Sequence, residues 1–150
     1  MKKTKRGPRG RGVNAMGRSK SDVQHFPMLY YMVKSTAWRS LSPAAIKVFI
    51  ELRCRFNGYN NGQITLSMEE GAHLLHMSKG TVKRALEELM DKGFIKRTKR
   101  GQWLGRIASE YAVTDVRLNG NDATNDWRAW RPGETLRKRE REDGYSHIQI

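Results

Sequence analysis

From Ser78 to Gly93 the apolar side chains return at Val82, Ala85, Leu86, Leu89 and Met90, the i, i+3, i+4, i+7, i+8 spacing of one helix face. Ser78 is a residue that caps a helix N-terminus, and Gly93 is one that leaves a helix easily at positive φ. Such a helix buries one stripe and needs a second element to bury it against. Its polar positions open with Lys79, Gly80, Thr81, Lys83 and Arg84. Glu87 and Glu88 come a turn later, where they face away from a bound polyanion or pair with cations. Small residues allow close approach, Lys and Arg donate to guanine O6 and N7, and Thr meets a thymine methyl. The free N–H groups and the positive end of the helix dipole add to the attraction for phosphate.

The flanking segments supply the packing partners. Ser42 is an N-cap and Pro43 suits the first helical position; Ala45, Val48, Phe49, Leu52 and Phe56 then form one stripe. Asn57-Gly58 ends this helix, with Asn57 read as the residue tolerating positive φ, and Cys54 inside it is expected to be a small buried apolar residue. Asn60-Asn61-Gly62 is a turn signal before the β-prone Gln63-Ile64-Thr65-Leu66. Ser67 and Glu70 make a capping box for a helix with Ala72, Leu74 and Leu75 as its apolar positions, and His76-Met77-Ser78 is the turn out of it. After Gly93 the period changes: Phe94 to Thr98 reads as a strand, Lys99 to Gly105 as a hairpin tip, and Arg106 to Val113 as the return strand. Residues 28–39, with Leu29, Tyr30, Tyr31, Val33, Ala37 and Trp38, read as a short helical lead-in packed on the domain.

The order is helix, short strand, helix, turn, helix, two-stranded hairpin. The expected fold class is therefore α+β, mainly α: a winged helix-turn-helix over residues 23–115, with a two-stranded wing. Lys96, Arg97, Lys99, Arg100 and Arg106 surround a wing tip holding Gln102 and Trp103. A wing of this kind lies beside the recognition helix and reaches the minor groove or the backbone; for Trp103 the alternative is packing against the hairpin.

Charge and the chain ends bear on the partner. The chain carries 29 Lys and Arg against 15 Asp and Glu, a formal +14, which draws it to polyanions. Residues 1–22 hold Lys2, Lys3, Lys5, Arg6, Arg9, Arg11, Arg18 and Lys20 with no acid before Asp22 and no periodicity. This segment is expected to be a disordered cationic arm that follows phosphates or enters a minor groove, or else a solubilising tail. Residues 116–150 read as an extension with short helices: Asn125 or Asp126 caps Trp127-Arg128-Ala129-Trp130, whose two tryptophans dock on the domain or bind a protein partner. Glu134 to Asp143 reads as an exposed, fraying helix and Tyr145 to Ile150 as a strand-like tail.

At Ser78-Lys-Gly-Thr-Val-Lys-Arg-Ala-Leu86, followed by Leu89 and Gly93-Phe-Ile95, the sequence resembles the winged helix-turn-helix superfamily and is similar to the recognition helix of GntR-type regulators. That resemblance implies DNA contacts at Ser78, Lys79, Thr81 and Lys83. A wider resemblance, to short helix-turn-helix proteins of alphaproteobacteria, their phages and mobile elements, is carried by Ser35 to Ser42, Asn57 to Gly62, Lys99 to Trp103 and Asn125 to Trp127. Those proteins resemble the initiator-like winged helices of plasmid replication.

The expected function is sequence-specific binding of double-stranded DNA, as a transcriptional regulator. The alternatives are a plasmid or phage replication-associated DNA-binding protein, an RNA-binding protein, and a protein-interaction module. A homodimer is expected because one helix-turn-helix usually reads a half-site. No enzyme is expected: nothing resembles a nucleophile, base and orienter set, and Gly7, Gly10 and Gly12 follow no strand and open no helix. No cofactor or metal is expected, since His73 and His76 have no third ligand in view. No run of about 18 apolar residues occurs, so no membrane association is expected and the location is read as cytoplasmic, nucleoid-associated.

Overall fold

The computed structural model describes residues 25–102 and 105–134. The basic arm, Trp103 of the expected wing tip, most of the mixed-charge segment from Glu134 to Asp143, and the tail lie outside the described residues. What is described is mainly helical, with five α-helices and a small antiparallel sheet. In chain order these are α1 (Tyr30–Val33), α2 (Thr36–Arg39), α3 (Pro43–Arg55), β1 (Ile64–Thr65), α4 (Met68–Leu75), α5 (Lys79–Asp91), β2 (Ile95–Lys99) and β3 (Glu110–Val113), followed by a 3-10 helix, Asp126–Ala129.

Serine hydroxyls start α2 to α5, and α1 follows Leu29 without a side-chain cap. Ser35, Ser42, Ser67 and Ser78 each accept the backbone N–H three residues on, satisfying a donor that the helix itself leaves open. The lead-in is two short helices rather than one. Ser35 breaks it, donating its hydroxyl to the Met32 carbonyl while capping α2. At the end of α3, Phe56 turns extended, and Gly58 rather than Asn57 takes the positive φ. Asn57 instead accepts the N–H groups of Tyr59 and Asn60 through its side chain, closing the turn.

The stripes meet in one core. Ala45, Val48, Phe49 and Leu52 of α3 pack with Val82, Ala85, Leu86 and Leu89 of α5, together with Ile64, Leu66, Phe94, Ile95, Tyr111 and Val113. Phe49, Phe94 and Trp38 contact one another edge to face at 5.3–5.8 Å between centroids. The core does not stop at residue 115. Trp127 stacks flat on Phe94, with centroids 6.1 Å apart, and Trp130 is buried beside it.

Two core expectations need correction. Cys54 is exposed, because it lies about 200° around the helix from Leu52 and so on the outer face. Leu74 is 48% exposed, and the buried position on α4 is Gly71. A Cβ there would stand 2.9 Å from Val82 Cγ1, so the missing side chain is what lets α4 approach α5.

The sheet order is β1-β3-β2, both pairs antiparallel. The return strand begins at Glu110, not at Arg106: Arg106 takes φ 49° in the turn, and Gln102 and Ile107 exchange backbone hydrogen bonds at 3.0 and 3.1 Å below it. A bulge between Arg97 and Lys99 leaves Thr98 without a partner on β3. Buried Asn61 ties the far side: its amide donates to the carbonyls of Val113 and Arg117 and accepts the Val113 N–H at 2.8 Å.

Candidate nucleic-acid interface

Two polar clamps fix the helices, one on α5 and one between α3 and α4. Glu88 accepts both the N–H and the hydroxyl of Ser42, at 3.0 and 2.6 Å, and pairs with Lys92 at 2.8 Å. Burial alone would raise the Glu88 carboxyl, but the hydrogen bonds from Lys92 and Ser42 outweigh it and hold the group below its ordinary range. Arg55 bridges Glu51 at 2.7 Å and Glu70 at 2.8 Å, joining α3 to α4. The Arg55 hydrogen bond is the main reason the Glu70 carboxyl lies below its usual value; the Ser67 N–H contributes least. The Ser67 half of the expected capping box is formed, its hydroxyl accepting the Glu70 N–H at 3.1 Å, while the Glu70 carboxylate is turned to Arg55.

A third tie is buried. Arg53 Nε stands 3.0 Å from Asp115 Oδ2, with side chains only 4% and 3% exposed. Arg53 also donates to the Pro27 carbonyl at 3.1 Å and lies over the rings of Phe26 and Phe56. Desolvation pushes the Asp115 carboxyl up, against the opposing pull of Arg53.

These ties leave the N-terminal half of α5 facing outward. Lys79, Gly80, Lys83 and Arg84 are exposed and Thr81 is half-buried. Their circumstances differ. Ser78 and Thr81 are occupied with each other, hydroxyl to hydroxyl at 2.8 Å, while Ser78 also accepts the Thr81 N–H. Lys79 pairs with Glu69 across the α4–α5 turn at 3.1 Å. Lys83 and Arg84 form no ion pair among the described residues, and Arg84 Nη2 lies 3.5 Å from the Thr81 hydroxyl.

The wing cations divide in the same way. Lys96 pairs with Asp126 at 2.8 Å and Lys99 with Glu110 at 3.4 Å. Arg100, Gln102 and Arg106 are exposed, as is Arg97, which stands opposite Tyr111 in the register. Lys96 and Arg97 point to opposite sheet faces by strand alternation, so the expected wing set is not one cluster. Three of the expected contacts are held by acids that residue spacing does not assign to them, Glu69, Glu110 and Asp126; each is brought to its lysine by a turn, a strand register or a long return.

No family model matches the chain, and neither curated proteins nor solved structures yield a match. The arrangement therefore stands on its own chemistry. Among the described residues no group of three or more His, Cys, Asp or Glu side chains is placed to hold a metal, and no helix is long and apolar enough to cross a membrane. His76 leaves α4 in the left-handed region, at φ 52°, apart from the helical face that carries His73.

Proposed function

We propose that the chain is a sequence-selective double-stranded DNA-binding protein of winged helix-turn-helix form, acting as a transcriptional regulator and binding as a homodimer. The observation that carries this reading is the split character of α5: Val82, Ala85, Leu86 and Leu89 are buried, while Lys83 and Arg84 project from its first two turns, exposed and without an ion pair among the described residues. Element order and the sheet order β1-β3-β2 agree with it. α5 reads base edges; the unpaired wing arginines and the basic arm neutralise phosphates.

The test is selection of bound sites from a random duplex library at about 150 mM salt, with single-stranded RNA as competitor. At that ionic strength non-specific phosphate binding is weak. The expected result is a recovered motif, arranged as an inverted repeat, that the Lys83→Ala/Arg84→Ala double variant no longer selects. Base contacts of this kind are each worth about 1–3 kcal/mol. Salt-sensitive binding without a motif, or an unchanged motif in the double variant, overturns the assignment.

A further inference from the structure

At the other end of α5 the molecule carries a second surface of mixed aromatic and cationic character. Lys92, the C-cap of α5, lies 5.4 Å over the Trp130 ring. This sets the 3-10 helix beside the end of α5 remote from Ser78, about 20 Å away at 1.5 Å per residue. α1 packs against the same helix, with Tyr31 and Trp127 ring centroids 5.5 Å apart. Arg128 lies over both rings, at 4.7 and 5.5 Å. Tyr30, the next residue on α1, is 82% exposed, and Lys34 stands over it at 5.5 Å. Arg131 donates to the Arg128 carbonyl and adds a further exposed cation.

Tyr30 and Tyr31 each carry a cation over the ring yet stay exposed, and Lys34, Arg128 and Arg131 beside them repel any basic partner. Asp126, the acid of the 3-10 helix itself, is taken by Lys96, and Glu88 by Lys92. One more group is unmatched: the Trp127 indole N–H is buried and has no acceptor among the described residues. A ligand that suits the surface brings planar π-faces, acceptor oxygens and negative charge together. Unpaired nucleotides do so, since a base stacks on tyrosine or guanidinium and phosphates follow the cations. Paired bases cannot stack there, because both of their faces are already covered by neighbouring pairs.

We propose that the Tyr30, Tyr31, Lys34 and Arg128 surface binds an unpaired stretch of a polynucleotide, at a site separate from the α5 N-terminus. The site shares no residue with the duplex-reading surface, so the two stand or fall independently.

The experiment measures fluorescence anisotropy of the full chain with labelled ten-nucleotide oligo-dT, oligo-dU and oligo-U, and with a labelled blunt two-strand duplex that has no unpaired nucleotides, at about 150 mM salt. Tyr30→Ala and Arg128→Ala touch exposed side chains and are compared with Lys83→Ala/Arg84→Ala. Loss of a stacked base weakens binding about fivefold to a hundredfold. The expected result is a loss of at least fivefold for single strands in Tyr30→Ala and in Arg128→Ala, with no such loss in the α5 variant. Photocrosslinking of a halogenated oligo-dU is expected to label Tyr30 or Tyr31. A preference between oligo-dU and oligo-U, which differ only at the 2′ position, identifies the sugar the site takes. Absence of single-strand binding, or binding that only the α5 variant reduces, overturns the proposal; single-strand binding without duplex binding upholds it and removes the duplex reading.

Discussion

Arg53 and Asp115 show how one buried pair anchors three segments. Arg53 reaches Asp115, the Pro27 carbonyl and the rings of Phe26 and Phe56. Replacing Asp115 by Ala removes both the counter-charge and the acceptor of a buried guanidinium, and loss of one partner of a buried pair costs about 3–5 kcal/mol. Urea denaturation is expected to give a loss in that range; a change below about 1 kcal/mol would show that the pair does not hold the fold. Titration adds signs. Asp115 has its folded pKa raised, so its ionisation opposes folding, and that cost grows as pH rises through the folded value. Glu88 has its folded pKa lowered, so its contribution is present above the unfolded value and is lost as pH falls through the folded one. The urea-midpoint advantage of the native chain over Glu88→Gln is expected to shrink between about pH 6 and about pH 3. Lys79 is a residue-scale case on the proposed DNA face. Its pair with Glu69 is exposed, and such pairs are worth about 0.2–1 kcal/mol. Glu69→Gln is expected to tighten duplex binding by up to about fivefold in an anisotropy titration, and Lys79→Ala to weaken it less than Lys83→Ala.

The helices depend on closely set local choices. Gly71 is the point at which α4 meets Val82 of α5. Gly71→Ala is expected to destabilise by about 1–3 kcal/mol through overpacking, despite the higher helix propensity of Ala, when measured by thermal or urea unfolding. A stabilised variant would mean that Val82 yields freely. At this scale the sequence was most legible: serine caps at 42, 67 and 78, the α3 and α5 stripes, and the switch from helix to strand after Gly93 are local signals. Cys54 was legible too, since its helical angle puts it outside the stripe; the preference of cysteine for interiors prevailed over the geometry. Gly71 was not, because a gap between helices is a property of both. The same reason hid Glu69, Glu110 and Asp126. A lysine's acid is chosen by turns and registers that residue spacing does not encode, so spacing presents the cations as one set that the fold divides into paired and unpaired.

Across the whole molecule the proposed DNA-binding unit extends to Trp130. Trp127 covers Phe94, and Trp130 takes the Lys92 ammonium on its ring. Trp127→Ala is expected to cost about 3–5 kcal/mol, as for other large aromatic truncations in cores, and to lower the thermal midpoint of the whole described domain in a single transition. Separate melting of a remainder at the native temperature would show instead that the return is an appendage. The sheet order has a consequence for how the chain is made. Asn61 and the carbonyl it grips at Val113 are 52 residues apart. At a synthesis rate of about 5–20 residues per second, Asn61 and β1 leave the ribosome roughly 3–10 s before their partner strand exists. In that interval α3, α4 and α5 can close on one another while the inner face of β1 waits without a sheet. The nascent chain is then a helical bundle with one open flank, and the arrival of β3 is the event that seals it.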